Sequence, residues 1–226
     1  MPQLDLSPLT ILFFLITWAP GLILGITLHE AAHGFAARQC GDNTAYALGR
    51  VTLNPLKHID PMGTIALPVL MGLMSGGSFI FGYAKPVPVN FSRLNDIKWD
   101  TVRVAVAGPA ANFVIALLAV LLMHAAVLLP QLGQVLTIPG LVMAVKINVL
   151  LMVFNLVPVL PLDGGRVLQA LLPHEAGRAF AETERWGFFL VMALAFSGIL
   201  FRIIGPVMDI LMSAMLQLAP RALYGM

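Results

Sequence analysis

The chain is short of charge. Of its 226 residues only 11% are Asp, Glu, Lys or Arg, while 59% are hydrophobic, and the mean hydropathy is +0.90. A soluble domain carries about a quarter charged residues because water must wet its surface. This chain falls far below that, so lipid is the solvent expected for most of its surface. Cysteine is nearly absent too. With Cys40 alone, no intrachain disulfide can form and a zinc site of several thiolates is excluded, so any metal must be held by His and carboxylate. A net charge of +2, without a basic cluster interleaved with aromatics, excludes a nucleic-acid footprint. The opening MPQLDLSPLT holds no Lys or Arg, and the apolar run after it continues past Gly25 into a polar motif. A secretory signal would show a basic start and a cleavage site; a retained membrane helix is expected instead.

What is present is a set of long apolar runs. A helix needs about 20 apolar residues to cross a bilayer, and Leu9–Ala37, Val102–Leu129, Ile138–Leu160 and Trp186–Leu218 qualify. The last is interrupted by Arg202, Gly205 and Pro206, which predicts two short helices or one kinked helix. Met62–Gly82 is broken by MSGGS and runs into FGYAKPVPVN. Pro86 and Pro88 forbid a helix interior there, so an extended strand is expected. Ala45–Leu53 reads as a second short strand, ending at the turn-like Asn54-Pro55. Arg38, Arg50 and Lys57 precede Met62–Gly82, and Lys85, Arg93, Lys98 and Arg103 follow it. Cationic loops stay cytoplasmic, so Met62–Gly82 is expected to enter the membrane and return to the same side, a hairpin tolerable only against protein or a cavity. Pro130–Pro139 carries no charge and reads as an exterior loop. The expected fold is an all-α polytopic membrane protein: a single domain over residues 1–226, with four to six membrane helices and a re-entrant, extended hairpin at about 62–90.

The first run contains His29-Glu30-Ala31-Ala32-His33. Two histidines four apart share a helix face and can grip one zinc ion, while Glu30 can reach a metal-bound water as general base. Ionisable residues inside an apolar helix are expensive and usually mark function; the plain alternative is a polar cluster at the interface. Catalytic zinc takes three protein ligands and keeps one open position. His124 lies toward the exterior end of its segment, and His58 and His174 read as solvated loop residues. Asp163, in NLVPVLPLDGGR, closes its segment between two prolines and two glycines that let backbone approach closely. The topology puts it at the depth of His29 and His33. The competing reading of Asp163 is a carboxylate capping the next helical turn. Asn112 and Asn155 lie in apolar helices on the same side, and each can either donate to a developing oxyanion or bond neighbouring helices together.

HExxH, GPxxN and NxxPxxPLDGGR, in that order in so hydrophobic a chain, resemble the site-2 protease family of intramembrane zinc metalloproteases, over about residues 20–170. LGRVTLNPLKHIDPMGT and FGYAKPVPVN resemble its compact prokaryotic members without a PDZ-like or CBS-like domain. The resemblance implies one Zn2+ per chain on His29, His33 and Asp163, with Glu30 as catalytic base. It implies action in regulated intramembrane proteolysis on transmembrane segments of other membrane proteins; the cationic loops predict a multi-pass protein of the cell membrane with its active site toward the cytoplasm. It also implies that Phe79–Val89, with Phe81, Gly82, Tyr83 and Ala84 as the pairing residues, adds to the unwound substrate as a strand, and that Asn112 orients substrate or the oxyanion. The alternative is a transporter or channel with a His/Asp metal or proton path; no inverted repeat supports it, and Glu30 between two ligands has no obvious transport role. A zinc-stabilised binding protein without turnover would have no need of Glu30.

Overall fold

A computed structural model describes residues 8–74 and 82–225. Among these residues every regular element is a helix. Four are long and apolar enough to cross a membrane: Leu15–Gln39 within α1 (Pro8–Gln39), α4 (Ile97–Ala126), α5 (Gln131–Asn155) and α9 (Ile199–Gln217). Between α1 and α4 lie the single turn α2 (Thr44–Ala47) and α3 (Leu67–Met74). Between α5 and α9 lie α6 (Asp163–Leu171), α7 (His174–Ala181) and α8 (Glu184–Phe196).

Lipid tails are as apolar as leucine, so helices associate in a bilayer through close packing and interhelical hydrogen bonds. The α1–α5 crossing shows both. A side chain on Gly21 would come within 2.8 Å of the Ala144 Cα, and one on Gly25 within 2.7 Å of Asn148 Oδ1. Behind that crossing, Val120 and Met123 of α4 and Val145 and Val149 of α5 are wholly buried, with Leu200 and Ile204 of α9 against them. Outward faces carry large apolar side chains, as at Leu15, Ile23 and Leu24 of α1.

Several boundaries differ from those the sequence predicts. Ala45–Leu53 is no strand. Asp42 Oδ1 accepts from the Thr44 N–H and hydroxyl, which starts α2, and Gly49 at φ +63° ends it as a left-handed cap. The stretch Pro130–Pro139 is mostly helix, since α5 begins at Gln131 and carries Pro139 inside it. The Trp186–Leu218 run breaks at Gly198, φ +73°, rather than at Arg202–Pro206, which lie within α9. The thirteen residues of α8 extend only about 20 Å, short of a bilayer.

The predicted strand Phe79–Val89 is not formed over its described part; Phe81 and the residues back to 75 lie outside the described residues. Gly82–Asn90 is extended without a strand partner. It is held instead by scattered bonds: the Tyr83 N–H to Gly63 O at 3.0 Å and the Lys85 N–H to His58 O at 2.9 Å. The chain thus leaves Gly63 into α3 and is back beside Gly63 at Tyr83.

Candidate metal centre

His29 and His33 are one turn apart on α1, their rings at 84° with centroids 4.6 Å apart and their Nε2 atoms 3.0 Å apart. Asp163 approaches both from the start of α6: Oδ2 lies 3.3 Å from His29 Nε2, and Oδ1 lies 3.3 Å from His33 Nε2. The glycines after it explain the fit. A side chain on Gly164 would strike Leu156 O at 2.1 Å, and one on Gly165 would strike Leu160 N at 2.5 Å. Only bare backbone lets this turn fold under Asp163. The carboxylate caps nothing, since the residue before the helix is Leu162 and no side-chain cap is made. On the far side, a Cβ at Gly108 of α4 would come within 2.4 Å of His33 Nε2 and 2.6 Å of His29 Nε2. The backbone of α4 is therefore the floor of the cluster.

Hydrogen bonds on the other ring nitrogens fix the tautomers. His33 Nδ1 is 2.7 Å from Val104 O, a group that can only accept, so Nδ1 carries the hydrogen and, in the neutral ring, Nε2 presents a lone pair. His29 Nδ1 lies 2.6 Å from Asn112 Oδ1. The amide orientation follows from its other end, where Asn112 Nδ2 donates to Gly25 O and Asn148 Oδ1. Asn148 Nδ2 in turn donates to Gly21 O and Ala144 O. A chain of amides anchored on carbonyls thus sets His29 as well. Both Nε2 lone pairs and a carboxylate converge with no donor among them, and Asp163 Oδ2 is buried with no hydrogen-bond partner. Three acceptors so placed repel one another unless a proton or a metal cation sits between them.

Zinc fits this donor set. Zn–N and Zn–O bonds of 2.0–2.2 Å put tetrahedral ligand atoms about 3.3 Å apart; here the two Nε2 atoms are 3.0 Å apart, His29 Nε2 has Oδ2 of Asp163 at 3.3 Å, and His33 Nε2 has Oδ1 at 3.3 Å. Two histidines and one carboxylate leave a fourth position open, as catalytic zinc requires.

Glu30, beside His29, accepts a 2.7 Å hydrogen bond from the Val87 N–H through Oε2. Asn112 stands behind a histidine, with its N–H groups given to Gly25 and Asn148. Asn155 donates to Leu151 O one turn back, at the end of α5, and takes no part in the amide chain. The Tyr83 N–H bonds Gly63 O and its carbonyl accepts from Thr64 Oγ1. His58, read from sequence as solvated, is buried at 2% exposure and contacts Thr52 O at 3.0 Å, while its carbonyl accepts from the Lys85 N–H of the returning segment. Sequence reading missed Asn148, Gly108 and the Val104 carbonyl. Asn148 was findable, as an amide at 0% exposure within an apolar span; the other two act through backbone and leave no compositional signal.

Comparison with known proteins agrees with this chemistry. The family model "Peptidase family M50" matches residues 17–140 and 126–198. A Bacillus subtilis protein named "Putative zinc metalloprotease YwhC" is 35% identical over 196 residues, covering 83% of this chain and 82% of the relative. "Putative zinc metalloprotease Rip2" of Mycolicibacterium smegmatis is 33% identical over 193 residues, covering 84% of this chain and 70% of the relative. No solved structure gives a significant match. The chain belongs to peptidase family M50 and is a zinc metalloprotease.

Proposed function

We propose that this membrane metalloprotease hydrolyses peptide bonds within or beside transmembrane segments of other membrane proteins, at a site facing the cytoplasmic side of the cell membrane. The observation that carries the reading is the place of the cluster. His29, Glu30 and His33 lie on Leu15–Gln39, a helix apolar enough to span the bilayer, so a substrate must meet them from within or beside the membrane. Arg38 ends α1, and Lys98 and Arg103 open α4, whereas residues 127–130, between α4 and α5, carry no charge. That bias is the one expected of a cytoplasmic face at the end of α1.

His29, His33 and Asp163 would hold the zinc, which supplies a Lewis acid and a water acidic enough to lose a proton near neutral pH. Glu30 then takes a proton from the attacking water and passes it to the amide nitrogen as the C–N bond breaks. Asn112 keeps His29 in the ligating tautomer. A helical substrate hides its carbonyls in its own hydrogen bonds, so it must unwind first, and an extended chain beside Gly82–Ala84, with Phe81, is the proposed place for it. The test is to co-reconstitute the protein with single-span substrates in liposomes and map the cuts by mass spectrometry. Chelator-sensitive cuts inside or at the edge of the apolar span are expected. Cuts confined to soluble flanks, or equal cleavage of a soluble peptide, would overturn the reading.

A further inference from the structure

The Glu30 carboxylate does not hang free. Its Oε2 accepts the Val87 N–H at 2.7 Å, from a segment 57 residues away in sequence. Val87 sits between Pro86 and Pro88, and neither proline has an N–H. Across these three residues the backbone has one donor, and it points at Glu30. The prolines also restrict the residues before them, Lys85 and Val87, to extended conformations, so the donor cannot easily turn away.

The segment is pinned at both sides. Arg50 Nη2 donates to Lys85 O at 2.8 Å and to Pro86 O at 3.3 Å, and the Lys85 N–H donates to His58 O. Val87 itself is buried at 8% exposure, against Gly34 of α1. Glu30 and Gly34 are one turn apart on the same helix face. A Cβ at Gly34 would come within 3.0 Å of Val87 Cγ1 and 2.8 Å of Val51 Cγ2, so the missing side chain at 34 is what lets Val87 lie close enough for its N–H to reach position 30.

We infer that the main-chain N–H of Val87, presented by the Pro86-Val87-Pro88 segment, is a positioning group for Glu30: it fixes one carboxylate oxygen so that the other is aimed into the metal cluster. This rests on Glu30 as the base proposed above. It also divides the extended segment by role. The substrate strand proposed above would pair at Gly82 and Ala84, since Tyr83 is already bonded to Gly63 and Thr64, whereas 85–88 belong to the base. Outward pairing beyond Ala84 has no donor at Pro86 or Pro88, so a substrate strand cannot continue its ladder along them.

The test replaces Val87 with its α-hydroxy acid, a backbone ester that removes the N–H and keeps the side chain. The full-length protein is assayed in liposomes. The ester enzyme is expected to keep its zinc and hold KM within about two-fold, while kcat falls about ten-fold or more, the weight of a hydrogen bond to a charged group. A readout without turnover is amide hydrogen exchange at Val87, expected to quicken at least about ten-fold in Glu30→Ala. Gly34→Val, which pushes the segment off α1, should lower kcat in the same direction. An unchanged kcat in the ester enzyme, or Val87 exchange indifferent to Glu30→Ala, overturns the positioning role. A rise in KM alone would assign Val87 to substrate pairing and overturn it equally. Full activity in Glu30→Gln would overturn the base assignment itself, which separates the two failures.

Discussion

Asn112 shows how much of a metal site lies behind its ligands. It touches His29 with its oxygen and gives both N–H groups away, to Gly25 O and to Asn148. Its expected contribution is therefore to zinc affinity. Asn112→Leu, which keeps the volume and removes the acceptor, should weaken zinc binding about 10- to 100-fold, the usual weight of a group that orients a metal-bound histidine. Competition with a chelator of known affinity measures this, and binding as tight as in the parent protein would refute it. The three residues that could hold the metal were legible in the sequence as candidates, because HExxH and an Asp flanked by Gly and Pro are local patterns with a chemical reason, and the structure brings them together. Asn148 was findable, as an amide within an apolar run; Val104 and Val87 were not, since what they contribute is a carbonyl and an N–H. Backbone groups carry no letter in a sequence.

Among the elements, hydropathy located the helices and said little about their ends. The start of α4 is set by Asp96, whose carboxylate accepts from the Lys98 and Trp99 N–H groups, several residues before the apolar run begins. The same kind of side-chain contact replaced the strand expected at Ala45–Leu53. Asp42 lies just past α1, wholly buried, and ties α2 to the extended segment by accepting from Thr44 and from the Asn90 N–H. Burial alone would raise its pKa; hydrogen bonds from Thr44 and Asn90, with the Arg93 charge, outweigh burial and hold it below the ordinary carboxylate value. A carboxylate depressed in the folded state adds stability above its unfolded pKa of about 4, and loses it as pH falls through the folded value. Asp42→Asn should cost about 1–3 kcal/mol at neutral pH. The gap between variant and parent should close below about pH 4. Thermal unfolding in detergent across that range measures it, and a gap that stays constant with pH would contradict the assignment.

On the scale of the molecule, four apolar helices form a membrane protein, and α1, α4 and α6 meet around one cluster of three acceptors. The first helix supplies two, the turn into α6 supplies the third, and bare backbone at Gly108 and Gly164-Gly165 lets them converge. Most of the cost of burying such groups in an apolar protein falls away once a divalent cation joins them, so the fold and the metal should be coupled. The most direct test is to purify wild type, Glu30→Gln and Asp163→Ala from the membrane and measure zinc content and substrate cleavage on the same samples. Zinc in wild type and Glu30→Gln, its loss in Asp163→Ala, and cleavage by wild type alone are predicted. Wild-type protein that cleaves without zinc, or Asp163→Ala protein that keeps its zinc in full, would contradict the assignment of His29, His33 and Asp163.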